Sequence, residues 1–258
     1  MNQLASFAYA QARLQARHGA RPNAATWRRL EGISDLLHFL QSARTTGLRP
    51  WVLHFSARTD IHAMELSLRQ QFRDYIAEVA SWQPVAWRKT VLWVQRLLDL
   101  PGLQHLLMGE RAAAWMRDDP VLKPFAAANL RARLEALQDS DFAPLVQAWQ
   151  AGLPLLGGWR RRWHALWPQI SSTAAAPMER LDARLQRHLS RLRESDSVER
   201  SQQACQRLSE ELAYEFRRHT HQPAAAFMHL ALVALDLERL RAALVRRALF
   251  AERAQGRA

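Results

Sequence analysis

Apolar residues recur every three to four positions along nearly the whole chain, while the two-residue alternation of a half-buried strand hardly occurs. The pattern predicts an all-α protein. A first helix is expected over residues 2–17, ending before Gly19 and Pro22. A second is expected from Asn23, whose side chain can cap it, to about Arg44, with Trp27, Leu30, Leu37 and Leu40 on one stripe and Gly47 as its C-terminal cap. The stretch LRPWVLHFSART reads as irregular or as a very short extended piece. Asp60 then caps a strong helix that places Ile61, Met64, Leu68, Phe72, Ile76 and Val79 on one face, with Glu65, Arg69 and Arg73 on its other sides.

Pro84 suits the first turn of a further helix carrying Val91, Val94, Leu97 and Leu98 to a break at Pro101-Gly102, followed by a turn at LQHLLMG. Pro120 opens or interrupts a helix in the next stretch. Leu122, Leu130, Leu134 and Leu137 continue the period to a cap at Ser140 or Asp141. Pro144, Pro154 and Gly157-Gly158 keep the middle pieces short. PQISSTAAAP, residues 168–177, has the composition of a linker. A charged helix over about 178–194, a break at 195–197 and two further helices separated at Pro223 complete the chain, the last of them the longest uninterrupted pattern. The expected organisation is a helical domain over 1–167, made of two bundle-like units (about 1–83 and 84–167), the linker, and a C-terminal helical unit over 178–258. Three units of similar size suggest a threefold arrangement of antiparallel bundles in one elongated or funnel-like body.

Composition narrows the class of partner. A net charge of +12 asks for an acidic one: a protein surface, an anionic membrane face or a nucleic acid. All but two of the 36 lysine and arginine residues are arginines. Arginine, alanine and leucine rise together in GC-rich coding sequences, so part of this excess reflects base composition. The single Cys205 excludes an internal disulfide framework and a cysteine-based zinc knuckle, and it fits a reducing compartment. The N-terminus lacks the signature of a secretory signal, and no run of about 18 apolar residues could span a membrane. The expectation is a cytoplasmic protein that can also sit peripherally on the inner membrane face.

The densest chemistry lies in GGWRRRWHALWPQ, residues 157–169. Trp159, Trp163 and Trp167 are spaced by four, so on a helix they form one stripe, and packing into the protein's own core is the reading this favours. A groove for a partner helix or a membrane interface, and a stacking platform for nucleic acid, are the alternatives. The platform fits less well because the arginines lie off the aromatic line. Arg160, Arg161 and Arg162 occupy the remaining circumference and are the candidate partner contact, with Trp159 and Trp163 anchoring its edge.

Other clusters read as structural. His219 and His221, near His229, would point about 200° apart on a continuous helix and suit a solvated helix end better than a metal. Asp236 and Glu238 lie on opposite sides of a helix, and Glu238 shares a face with Arg241, which fits surface ion pairing. Cys205 reads as a small buried hydrophobe. Phosphate-loop, dinucleotide-binding, zinc-protease and nucleophile-elbow motifs are missing, so neither catalysis nor a cofactor or metal is expected.

Two stretches resemble a known family. YAQARLQARHGA, from Tyr9 to Ala20, resembles the tyrosine-x-x-alanine-arginine start of the C/d subunits of V-type ATPases, and DIHAMELSLRQQF, from Asp60 to Phe72, is similar to that family's isoleucine, glutamate and leucine pattern, with Glu65 at the glutamate position. The resemblance covers about residues 5–80. It implies an all-helical body of three related bundles that links a central stalk to a membrane rotor ring, with no catalytic residues. The expected function is therefore a non-catalytic subunit or adaptor of a larger, membrane-associated complex. A basic helical nucleic-acid-binding or regulatory protein is the alternative.

Overall fold

The computed structural model describes residues 3–126 and 129–255; the expected helix start at Asn2 and residues 256–258 of the C-terminal unit lie outside them. Among the described residues the protein is all-α, with fourteen α-helices, two short 3-10 turns and no strand. None of these helices is long and apolar enough to cross a membrane. Contacts divide the chain into two compact units rather than three consecutive ones. The first joins Met1–Gln71 and Ser81–Pro84 to Gln169–Ala258; the second holds Phe72–Ala80 and Val85–Pro168.

The first unit begins with α1 (Gln3–Gly19), α2 (Ala24–Glu31), α3 (Leu36–Arg44) and the single turn α4 (Arg49–Val52). Asn23 caps α2 as expected, accepting from the Thr26 amide. The single helix expected over 23–44 is two helices. Gly32 ends the first, and Asp35 opens the second by accepting from the His38 amide. The break shifts the register, so Leu36, Phe39, Leu40 and Ala43 form the buried face while Leu37 is 45% exposed. Residues 49–52, expected to be irregular or extended, form a helical turn with Pro50 in its first positions, where a missing amide costs nothing.

Gly47 serves a different purpose from the expected cap. A Cβ there would overlap the backbone carbonyl of Ala20, so the glycine lets the chain after α3 press against the chain leaving α1. Gly47→Ala is expected to cost about 1–3 kcal/mol, the usual range for overpacking. An unchanged urea midpoint would mean that the two segments part without cost.

The long helix α5 (Ile61–Trp82) gives residues to both units. Asp60 caps it, accepting from the Ala63 amide, and Met64, Leu68, Phe72, Ile76 and Val79 are its buried stripe. The second unit continues with α6 (Val85–Leu92), a 3-10 turn, α7 (Leu100–Leu107), α8 (Ala114–Asp118), a second 3-10 turn, α9 (Leu130–Gln138), α10 (Ala143–Gln150) and α11 (Leu155–Ala165). Pro101 starts α7 instead of breaking a helix, so LQHLLMG is helical up to Leu107.

The first unit closes with α12 (Ser172–Arg193), α13 (Val198–Arg218) and α14 (Pro223–Gln255). The expected linker 168–177 is mostly the start of α12. Ser171 caps it through the Ala174 amide, the alanine run favours helix, and Pro177 is accommodated inside. Four-residue connections make α12, α13 and α14 successive antiparallel neighbours. Residues 223–230 of α14 are all buried, because α1, α3, α12 and α13 pack around it. A helix apolar on every side needs such a central position. Helix α1 runs parallel to α14: Gln11 accepts from the His221 amide, and Arg21, just past the end of α1, reaches Asp236.

Candidate docking surface

Helix α11 carries the tryptophan–arginine segment, and its position follows from small residues and indole chemistry. Gly158 faces α10, where an added Cβ would come within 2.6 Å of the Ala148 methyl. Trp159 donates its indole N–H to the Trp93 carbonyl at 3.0 Å, and Trp93 returns the bond to the Trp159 carbonyl at 3.1 Å. Trp163 stacks on Trp159 at 5.6 Å between ring centroids and meets Trp167 edge-on at 5.1 Å. Thr90 Oγ1 donates to the Leu166 carbonyl at the end of the helix.

Trp159 and Trp163 are 7% and 3% exposed. They are core residues, as their spacing suggested, and they do not reach a surface where they could anchor a partner contact. Aromatic rings of that size lose too much by staying wet when a neighbouring helix can cover them. Of the three arginines, Arg160 is half-buried, while Arg161 and Arg162 are exposed and form no ion pair with a described residue. His164 is exposed beside them, stacked on Trp167 at 4.4 Å. The last turn thus presents positive charge where the helix dipole favours it.

The first unit carries a second cationic face that sequence reading described only as a charged helix. On α12, Arg180, Arg187 and Arg191 are exposed, none paired with a described acidic residue. Their spacings of seven and four place them on one side of the helix, with the small Ala183 and Ser190 between them. The buried side carries Met178, Leu181 and His188. The arginine spacing was the signal that could have revealed this face.

Other arginines are consumed internally. Arg73, expected on an outer side of α5, is buried and donates from Nη2 to Asp99 at 2.6 Å and to Asp119 at 2.9 Å. Burial acts to lower its pKa, but Asp119 and Asp99 outweigh that and raise it. Asp119 also accepts from the Val121 amide, and Gln95 donates to the Arg73 carbonyl. Arg133, 1% exposed, donates to the carbonyls of Leu106 and Glu110 at the end of α7. Arg21 binds Asp236 at 2.6 Å. Burial pushes the Asp236 carboxyl up despite Arg21. The Glu238–Arg241 pairing expected on α14 is present at 3.4 Å, and Arg241 also takes Glu65 at 2.8 Å. Tyr9 and Arg13 pair on the exposed side of α1 at 3.2 Å.

The three clustered histidines separate. His219 contacts Glu215 and Gln222 at the α13–α14 corner, His221 holds a left-handed backbone there (φ 61°), and His229 lies inside the bundle. No group of three His, Cys, Asp or Glu among the described residues could hold a metal ion. Cys205 is half-buried with Sγ 3.8 Å from His188 Nε2. Burial raises the thiol's pKa, helped by Glu238, and lowers that of the imidazole, helped by Arg191; this is the opposite of an activated thiolate pair.

Comparison of the chain with protein-family models, with curated proteins and with solved structures finds no match.

Proposed function

We propose that this protein works without catalysis, as a helical subunit or adaptor that docks on an acidic partner, either a protein face or anionic headgroups. One observation carries the reading. Buried Arg73, Arg133 and Arg247 are bonded into the scaffold through carboxylates and carbonyls, whereas Arg161 and Arg162 on α11 and Arg180, Arg187 and Arg191 on α12 face outward and form no ion pair with a described residue. A folded surface with outward guanidinium groups gains specificity and rate of encounter from charge complementarity. The most concrete form is a subunit like those joining the stalk and rotor ring of V-type ATPases; its support is the likeness at residues 9–20 and 60–72.

Affinity capture of the tagged full chain from its native cells tests this. The expected outcome is recovery in a complex at physiological salt, lost when Arg161→Glu and Arg162→Glu or Arg180→Glu and Arg187→Glu are introduced. Recovery as a monomer would overturn the proposal. So would nucleic-acid binding whose affinity falls steeply between about 50 and 200 mM salt, the mark of counterion release from phosphates.

A further inference from the structure

Helix α6 (Val85–Leu92) turns a mixed set of residues towards solvent. Its inner side is fixed: Trp87, Thr90 and Val91 are buried, and Thr90 Oγ1 donates to the Leu166 carbonyl at 2.6 Å. With that side held, Val85, Arg88, Lys89 and Leu92 share the outer side at the helical spacing i, i+3, i+4 and i+7, and all four are exposed. Val85 is 76% exposed and Leu92 38%. Two apolar side chains thus stand about 10 Å apart along the axis, with two cations between them. Lys89 forms no ion pair with a described residue.

The solvent side of a packed helix ordinarily carries polar residues, and a valine and a leucine left wet forfeit the stabilisation that burial gives. The occupant that fits this stripe is apolar at one depth and anionic at another. A bilayer surface has that layering. Val85 and Leu92 can enter the acyl boundary while the stems of Arg88 and Lys89 lie along the same boundary and their charged ends reach the phosphates. An acidic protein face supplies carboxylates, but the centre of a protein interface is depleted of lysine. Single-stranded nucleic acid supplies phosphates, but it rewards exposed aromatic faces, and the outer side of α6 carries none.

We propose that the outer side of α6 is a membrane contact, seating Val85 and Leu92 at the acyl boundary of an anionic bilayer with Lys89 and Arg88 on the headgroup phosphates. This goes beyond the docking role of the arginines on α11 and α12: it adds a different face and commits that face to lipid. The four side chains lie within one eight-residue helix, so the contact is a shallow, reversible one. Its charged part weakens with salt, and its apolar part does not.

Sedimentation of the full chain with vesicles tests the contact, comparing equimolar phosphatidylglycerol and phosphatidylcholine with phosphatidylcholine alone. Binding is expected on the mixed vesicles and should be far weaker on the neutral ones. A chain of net charge +12 can adsorb to anionic lipid through charge alone, so the deciding variants leave the charge as it is. Val85→Ser and Leu92→Ser are each expected to weaken binding about tenfold, and Lys89→Gln about fivefold. If a serine variant fails to fold, the unmodified chain decides: spin-labelled acyl chains in bicelles of the mixed composition should broaden the Val85 methyl signals and spare those of Val198, exposed on α13. Serine variants that bind mixed vesicles like the parent, or methyl signals of Val85 and Val198 broadened alike, would overturn the contact and leave the docking role of α11 and α12 untouched. So would a dimer in lipid-free solution that Val85→Ser dissolves, because the face would then belong to a second copy of the chain.

Discussion

Arg73→Met is expected to lower the stability of the protein by about 3–5 kcal/mol, the cost of leaving buried carboxylates without their counter-charge. Asp99 and Asp119 are both fully buried, and the Arg73 guanidinium is the cation that bonds to each of them. Arg96 stands further from Asp99, at 3.6 Å, and is itself held by Asp141 at 2.7 Å. The loss should appear as a lower urea midpoint. In the variant, Asp99 and Asp119, without the Arg73 guanidinium, should ionise less readily folded than unfolded, so its deficit should narrow as the pH falls towards about 4. Adding Asp99→Asn and Asp119→Asn should restore part of the stability, because the side-chain carbonyl then at position 119 can still accept from the Val121 amide while the uncompensated charge is gone. A single variant within about 1 kcal/mol of the parent would show that water or another cation replaces the guanidinium at little cost.

The second large effect is expected at Arg247, near the far end of the chain from the helix it caps. It is 2% exposed, and it donates to the carbonyls of Leu30 at 3.0 Å and Ile33 at 2.8 Å, at the break after α2. It also lies over the Phe39 ring at 4.1 Å. Burial, reinforced by Arg246 and opposed by Glu31, pushes its pKa down to about 10, so it remains charged at neutral pH. Arg247→Met is expected to cost about 3 kcal/mol as buried acceptors and the aromatic face lose their donor. Arg247→Lys should recover little, since a point ammonium cannot span several carbonyls and a ring together. Thermal melts of the three proteins would check both expectations; equal melting temperatures would show that α2 ends without a cap from α14.

These two residues mark where sequence reading runs out. Both look like ordinary members of an arginine-rich surface, and periodicity alone puts Arg73 on an outer side of α5. Charge and local periodicity carry no signal that a guanidinium will be taken inward by two carboxylates 26 and 46 positions away. The same holds for the docking residues. The stripe of Trp159, Trp163 and Trp167 is legible from its spacing, but its closure against Trp93, 66 positions earlier, is not. That closure removes Trp159 and Trp163 from any partner contact and leaves Arg161 and Arg162 outside. The split of the 23–44 helix is written locally in Gly32, Ser34 and Asp35, yet a continuous apolar stripe hides it.

What the amino-acid order determined by itself is the local part: helices throughout, the caps at Asn23 and Asp60, Pro223 at the head of the longest helix, and the buried stripe of α5. These follow from interactions within a few residues, which any window of the chain contains. Tertiary structure alone decided which arginines became scaffold and which stayed outside, that two discontinuous units replace three consecutive ones, and that His229 would be sealed beside His18. Desolvation is the reason. The cost of burying a charge or an imidazole depends on the groups that surround it in space, and these come from helices far apart in the chain.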